Sequence, residues 1–181
     1  MSELKELAAE AKHELLTHII PFWRGMRDDK FGGYYGYLSY DLALDEKAEK
    51  GCILNSRITW FFANAYLLYK DGGISEEECE AAGFKGEDLL AEAKHGYEFL
   101  REHCIEYGGI FWSLNYDGTP LDTTKHTYNQ AFCIYALSSY YDAAGDKEAL
   151  ELAFSLFDII EERCTDEIGY LEAFTRDFKP E

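Results

Sequence analysis

The sequence predicts an all-α solenoid in which outer and inner helices alternate and can close into a toroid, with short β-hairpins between the helices. Three features carry this expectation. A short aromatic segment recurs three times, as Gly33 to Asp41, Gly109 to Asp117 and Gly169 to Asp177, each with Gly first and Asp eight positions later. The stretches between copies carry helical apolar spacing, and they alternate between one-sided and broadly apolar surfaces. At 181 residues with 47% hydrophobic content, the chain suffices for one sizeable core and is short for two, so residues 1–181 read as a single domain.

The first helix is marked by Leu4, Leu7, Ala8, Ala11, Leu15 and Ile19, with Pro21 as its expected end. A second helix, from about Asn55 to Tyr69, is apolar on more than one side through Ile58, Phe61, Phe62, Ala65, Tyr66 and Leu68, which implies burial. A Gly-rich acidic insert, Asp71 to Gly86, has room for one short helix. Asp88 to Cys104 reads as an amphipathic third helix, and Thr127 to Ala144 as a broadly apolar fourth. The fifth, Lys147 to Cys164, keeps Leu150, Ala153, Phe154, Phe157 and Ile160 on one face. Alternation within the aromatic segments, as in Tyr35, Tyr37 and Phe111, Ser113, predicts two-stranded ribbons there. Each completed segment leads to the start of an inner helix, and in a closed toroid those starts ring one mouth of the cavity.

Composition excludes several functions. With 35 acidic against 17 basic residues, the net charge of −18 opposes nucleic acid and anionic membrane surfaces. The five cysteines form no CxxC or Cys/His metal pattern and read as free thiols of a cytoplasmic protein. No stretch is long and apolar enough for a membrane helix, and no phosphate loop, dinucleotide fingerprint or metal motif occurs, so a cofactor-free reaction is expected. His13, His18, His95 and His103 lack companions at ligand spacing and read as surface residues.

Candidate site residues lie at the inner-helix starts. Arg57, in an otherwise apolar stretch, offers a fork of donors to a carboxylate or to a substrate oxygen gaining negative charge; a structural salt bridge explains it equally well. His126, Tyr128 and Gln130 alternate, so an extended approach to the helix would aim all three one way, with His126 opposite Arg57 in the repeat. In the third segment, Glu172 and Asp177 could form a glycosidase-type acid/base pair or serve as salt-bridge partners of Arg57 or Arg176. The Asp shared with Asp41 and Asp117 suggests a turn role.

The segments His18 to Trp23, Asp28 to Tyr37, Asn55 to Phe62, Lys125 to Phe132 and Gly169 to Phe174 closely resemble the cellobiose 2-epimerases of the N-acylglucosamine 2-epimerase superfamily. The resemblance covers essentially the whole chain. It implies an (α/α)6 barrel of which this is an incomplete, N-terminal portion with about five to six helices. It implies C2 epimerisation of the reducing-end glucose of β-1,4-linked disaccharides through an enediolate, with no cofactor. It also implies that Arg57 stabilises that intermediate, that His126 and Tyr128 line the sugar pocket with Gln130 beside them, and that Glu172 and Asp177 stand behind, Asp177 as a partner for Arg57. The acid/base histidines are expected beyond residue 181. Other superfamily epimerases or isomerases, a toroid glycoside hydrolase and a sugar-binding module remain alternatives. A small sugar is the expected partner, the whole protein is expected to be a monomer, and the isolated piece is expected to self-associate through its uncovered inner helices.

Overall fold

The computed structural model describes residues 2–179. The first helix, α1 (Ser2–Glu14), does not end at Pro21 as expected. It widens into a π turn at Leu15–Ile19, closed by the Ile20 N–H donating to the Leu15 carbonyl, and continues as α2 (Ile20–Gly25). Pro21 stands in the first turn of α2, where its missing N–H and fixed φ are tolerated, so the proline reshapes the helix instead of stopping it.

After the strand β1 (Lys50–Gly51) comes the first inner helix, α3 (Cys52–Lys70), one turn longer than its apolar pattern suggests. The acidic insert holds α4 (Glu76–Ala81), started by a capping box in which Ser75 Oγ accepts from Glu78 N and the Glu78 carboxylate accepts from Ser75 N. The outer helix α5 (Gly86–Phe99) also ends in a π turn, Leu100–Cys104. Short strands follow: β2 (Ile105–Glu106), β3 (Gly109–Ile110), β4 (Ser113–Leu114), β5 (Pro120–Asp122) and β6 (Lys125–His126). The second inner helix is α6 (Thr127–Ala144), ended by left-handed Gly145. The outer helix α7 (Lys147–Arg163) is capped by Asp146, and β7 (Ala173–Phe174) comes last.

Helix α3 packs against α5 and α6, and α6 against α7, giving the expected alternation of outer and inner layers. It does not close into a ring among the described residues. Gly96 of α5 faces Thr59 of α3 so closely that a Cβ would overlap the threonine hydroxyl, which fixes the tight approach of those helices. The core is rich in aromatic side chains, with Tyr34, Phe62, Phe99, Phe111 and Phe174 all essentially unexposed. The five cysteines are buried free thiols.

The ribbons match the expectation in the second segment and differ in the first and third. The first aromatic segment makes only isolated bridges, Arg27 with Tyr34 and Leu38 with Leu44. In the second segment the ribbons form, β3 with β2 and β4 with β5, and further pairings run between repeats: β4 also pairs with β1, and β7 of the third segment pairs with β6. Each hairpin is thus tied to the strand that feeds the preceding inner helix. His95 is not a surface residue either, since its Nε2 donates to the Gly33 carbonyl at 2.8 Å.

Gly33 is one tight junction of this kind, with a φ of +66° and a Cβ position 2.6 Å from Asn55 Oδ1. Gly33→Ala is therefore expected to cost about 1–3 kcal/mol in denaturant unfolding. Gly169→Ala, where a Cβ meets open space, stays within about 0.5 kcal/mol.

Candidate functional site at the inner-helix starts

A single sequence offset relates Lys50 to Lys125, Asn55 to Gln130, Arg57 to Phe132 and Trp60 to Tyr135. The last two pairs are in contact. The Arg57 guanidinium lies 5.9 Å from the centre of the Phe132 ring, and Trp60 stacks on Tyr135 at 5.2 Å with a 17° interplanar angle. Helices α3 and α6 therefore run side by side in matched register, and matching positions form one surface. This corrects the placement of His126 opposite Arg57: the register partner of Arg57 is Phe132, while His126 corresponds to Gly51.

Arg57 is exposed. Four other arginines are spent on carboxylates: Arg24 on Asp88 and Glu92, Arg27 on Asp29 and Glu92, Arg101 on Glu102 and Glu148, Arg176 on Glu106; Arg163 on α7, exposed like Arg57, lies 5.9 Å from the centre of the Phe178 ring. Arg57 meets no carboxylate among the described residues. It lines a shallow cleft of about 260 Å³ with Trp23, Leu54, Ile58, Trp60 and Phe61. Tyr128, 55% exposed, packs edge-on against Phe132, and His126 lies with its ring 4.5 Å from that of Trp112. The result is a cation on an aromatic floor, beside a histidine–indole pair at the start of α6. Such a surface fits a polar ligand with apolar ring faces and a site of negative charge.

Gln130 does not belong to that surface. It is fully buried, accepting from Ile110 N at 2.7 Å and donating to Ile110 O at 2.9 Å. Asn55 plays the matching part in the first repeat, accepting from Tyr34 N and donating to Gly51 O. The expected common aim of His126, Tyr128 and Gln130 fails because α6 already begins at Thr127. Helical rotation then turns positions 128 and 130 by roughly 200° from one another.

Asp177 is not a partner of Arg57. Its carboxylate accepts from Thr175 Oγ1 at 2.6 Å and pairs with Lys179 at 2.6 Å. The Lys179 ammonium, with help from Thr175, holds it down to about 2. The turn role suggested by the repeated Asp is the one seen, and Asp117 likewise serves a turn, accepting from Thr119 N and Oγ1. Glu172 is exposed, and its carbonyl accepts from Thr127 N at 3.0 Å, capping the start of α6. Asp177 is thus engaged in its own turn, and no hydrogen bond joins it to Glu172 among the described residues.

The aromatic members Trp23, Trp60, Trp112, Phe132 and Tyr135 were not singled out as site residues from sequence. The repeat offset is the signal that finds the Arg57–Phe132 and Trp60–Tyr135 pairs.

Two buried lysines lie beneath this surface. Lys50 reaches Asp28 and the Gly32 carbonyl. Lys125 donates to the carbonyls of Glu106 and Gly109. Burial pushes the Lys125 ammonium down to about 8.

The alternation of inner and outer helices defines a protein of α/α-toroid type, and comparison with known proteins gives its family. The family model for N-acylglucosamine 2-epimerase matches residues 33–181, and the chain belongs to that family. It is 53% identical over 175 residues to a cellobiose 2-epimerase of Ruminococcus albus, covering 96% of this chain and 41% of that protein. A crystal structure of a sugar epimerase from a ruminal bacterium superposes with a TM-score of 0.85 at 52% identity, covering 96% of this chain and 41% of that one. The structure of cellobiose 2-epimerase from Bacillus thermoamylovorans B4167 gives 0.87 at 36% identity, covering 98% and 43% respectively. This chain thus spans about two fifths of the length of these relatives. No helix among the described residues is long and apolar enough to cross a membrane.

The lysine shift sets a pH dependence. The unfolded chain keeps the Lys125 proton to about 10.5, whereas the folded chain releases it near 8. Stability therefore rises across that interval relative to Lys125→Met, and paired denaturant titrations from pH 7 to 10.5 read the difference.

Proposed function

We propose that residues 1–181 are the N-terminal portion of a carbohydrate 2-epimerase acting on the reducing-end glucose of β-1,4-linked disaccharides, converting cellobiose to glucosyl-mannose and lactose to epilactose. The observation that carries this reading is Arg57: an exposed guanidinium with no carboxylate partner among the described residues, set over Phe132 beside Trp60. Removing the C2 proton of an open-chain aldose leaves an enediolate whose oxygens carry negative charge. A fixed cation at that place stabilises the intermediate more than the neutral sugar, which is how binding energy becomes rate. His126 and Tyr128 line the sugar pocket, where the exposed aromatic faces meet the apolar faces of the ring.

Gln130 contributes by holding the second hairpin, and Glu172 by capping α6 through its carbonyl. The groups that move the C2 proton are assigned to no residue here. Family membership and identity to cellobiose 2-epimerases support the substrate class. The opposing possibility, a module that only holds sugar, is separated by the role of Arg57, since neutral-sugar binding needs no cation.

Cellobionate, an open-chain disaccharide acid whose C1 carboxylate imitates the charged oxygens, is the direct probe. It is expected to change tryptophan emission in the 181-residue chain, with Arg57→Ala weakening its binding about tenfold or more and Lys94→Ala leaving it unchanged. Equal affinity for the Arg57→Ala and Lys94→Ala proteins would sink the assignment. The chain alone is expected to leave cellobiose unconverted; glucosyl-mannose detected by anion-exchange chromatography would show that its catalytic groups are all present.

A further inference from the structure

The hairpins at the two inner-helix starts are held by matching sets of buried side chains, and the second set is built around a lysine without a carboxylate. Lys50 and Lys125 occupy the same repeat position, and both are fully buried. Their hairpins also match, because Asp28 N donates to Gly33 O as Glu106 of β2 pairs with Gly109 of β3. In the first repeat the acidic residue at this place, Asp28, receives the lysine. In the second, the Glu106 carboxylate turns outward and binds the Arg176 guanidinium through both oxygens at 2.6 Å. Lys125 is left donating to the Glu106 carbonyl at 2.8 Å and to the Gly109 carbonyl, with the Phe111 ring 4.2 Å away.

A buried ammonium without a carboxylate is a poor source of stability. Its geometric effect is definite. Lys125 grips the backbone at 106 and 109, Gln130 grips both polar groups of Ile110, and Asn129 Nδ2 donates to the Phe111 carbonyl. The next residue along the gripped hairpin is Trp112, and the next residue after Lys125 is His126. The two rings that face one another are each one peptide from the clamp.

We propose that Lys125 is a positioning residue for the candidate site, setting the Trp112–His126 ring pair by pinning the second hairpin to the strand that feeds α6. This rests on the reading of that pair as part of the sugar-facing surface. Lys125 itself touches no substrate. It acts by converting a loop and a strand end, each mobile alone, into one rigid seat.

Proton NMR of the purified 181-residue chain tests the proposal, with the His126 ring signals assigned by their loss in His126→Gln. In the wild type those signals are shifted upfield by the Trp112 ring current, and the shift disappears in Trp112→Leu. Lys125→Met keeps the helical circular dichroism but loses the shift, and Lys125→Arg, which retains donors on a long stem, restores most of it. A folded Lys125→Met protein with the full shift overturns the proposal.

If Lys125→Met does not fold, the wild type decides at pH 6: slowly exchanging Lys125 Nζ protons with cross-relaxation to Gly109 support the clamp, and solvent-like exchange overturns it. The functional reading is read separately. Cellobionate perturbing the Trp112 and His126 signals of the wild type supports it, and unchanged signals count against that reading while leaving the clamp to stand on the variants.

Discussion

The structure depends on giving partners to the backbone of hairpins that are buried between helices. A loop segment taken out of water exposes N–H and C=O groups that helix and sheet do not satisfy, and each orphan costs free energy. Here one amide and one lysine per repeat supply the partners: Asn55 and Lys50 in the first, Gln130 and Lys125 in the second. Burying two ammonium groups to do so is expensive unless each meets several acceptors, and both do. Tyr34 adds to the first junction, its hydroxyl donating to the Glu92 carbonyl at 2.9 Å, and Glu92 in turn gathers Arg24 and Arg27.

From that attachment follows the register of the inner helices. With both hairpins clamped in the same manner, α3 and α6 start at matching levels, so Arg57 falls on Phe132 and Trp60 on Tyr135. The uncovered face of the inner layer is then not a random apolar patch but a band of rings with one cation. In a chain of net charge −18, a guanidinium on the inner layer that rests on an aromatic ring instead of a carboxylate is an available positive charge. Asp177, the carboxylate expected to pair with it, is held by Lys179 instead.

The order of helices was legible because apolar spacing reports which face of a helix is covered, and the bounds of α6 were read as observed. Pro21 misled because a proline ends a helix only where an N–H is needed, and the π turn before it removes that need. Gln130 misled for a related reason. Its alternation with His126 and Tyr128 holds only in extended chain, and the helix starts one residue too early for it. The role of Asp177 was legible in part, since a repeated Asp after an aromatic hairpin marks a turn in two of the three copies. The cross-repeat pairing of β4 with β1 and β7 with β6 left no local mark, because each strand is only two residues long.

The repeat, the alternation of inner and outer helices, the five unpaired cysteines and the location of Arg57 and His126 at inner-helix starts are legible in the residues alone. These are local or periodic properties, written in the spacing of apolar residues and in turn chemistry. Which side chains share a surface emerges only in three dimensions: Arg57 rests on Phe132, Trp112 lies against His126, Gln130 turns into the core, and Lys125 is buried without a carboxylate. Those outcomes depend on where two helices cross and which buried backbone groups still need a donor, and both are settled only when distant segments meet.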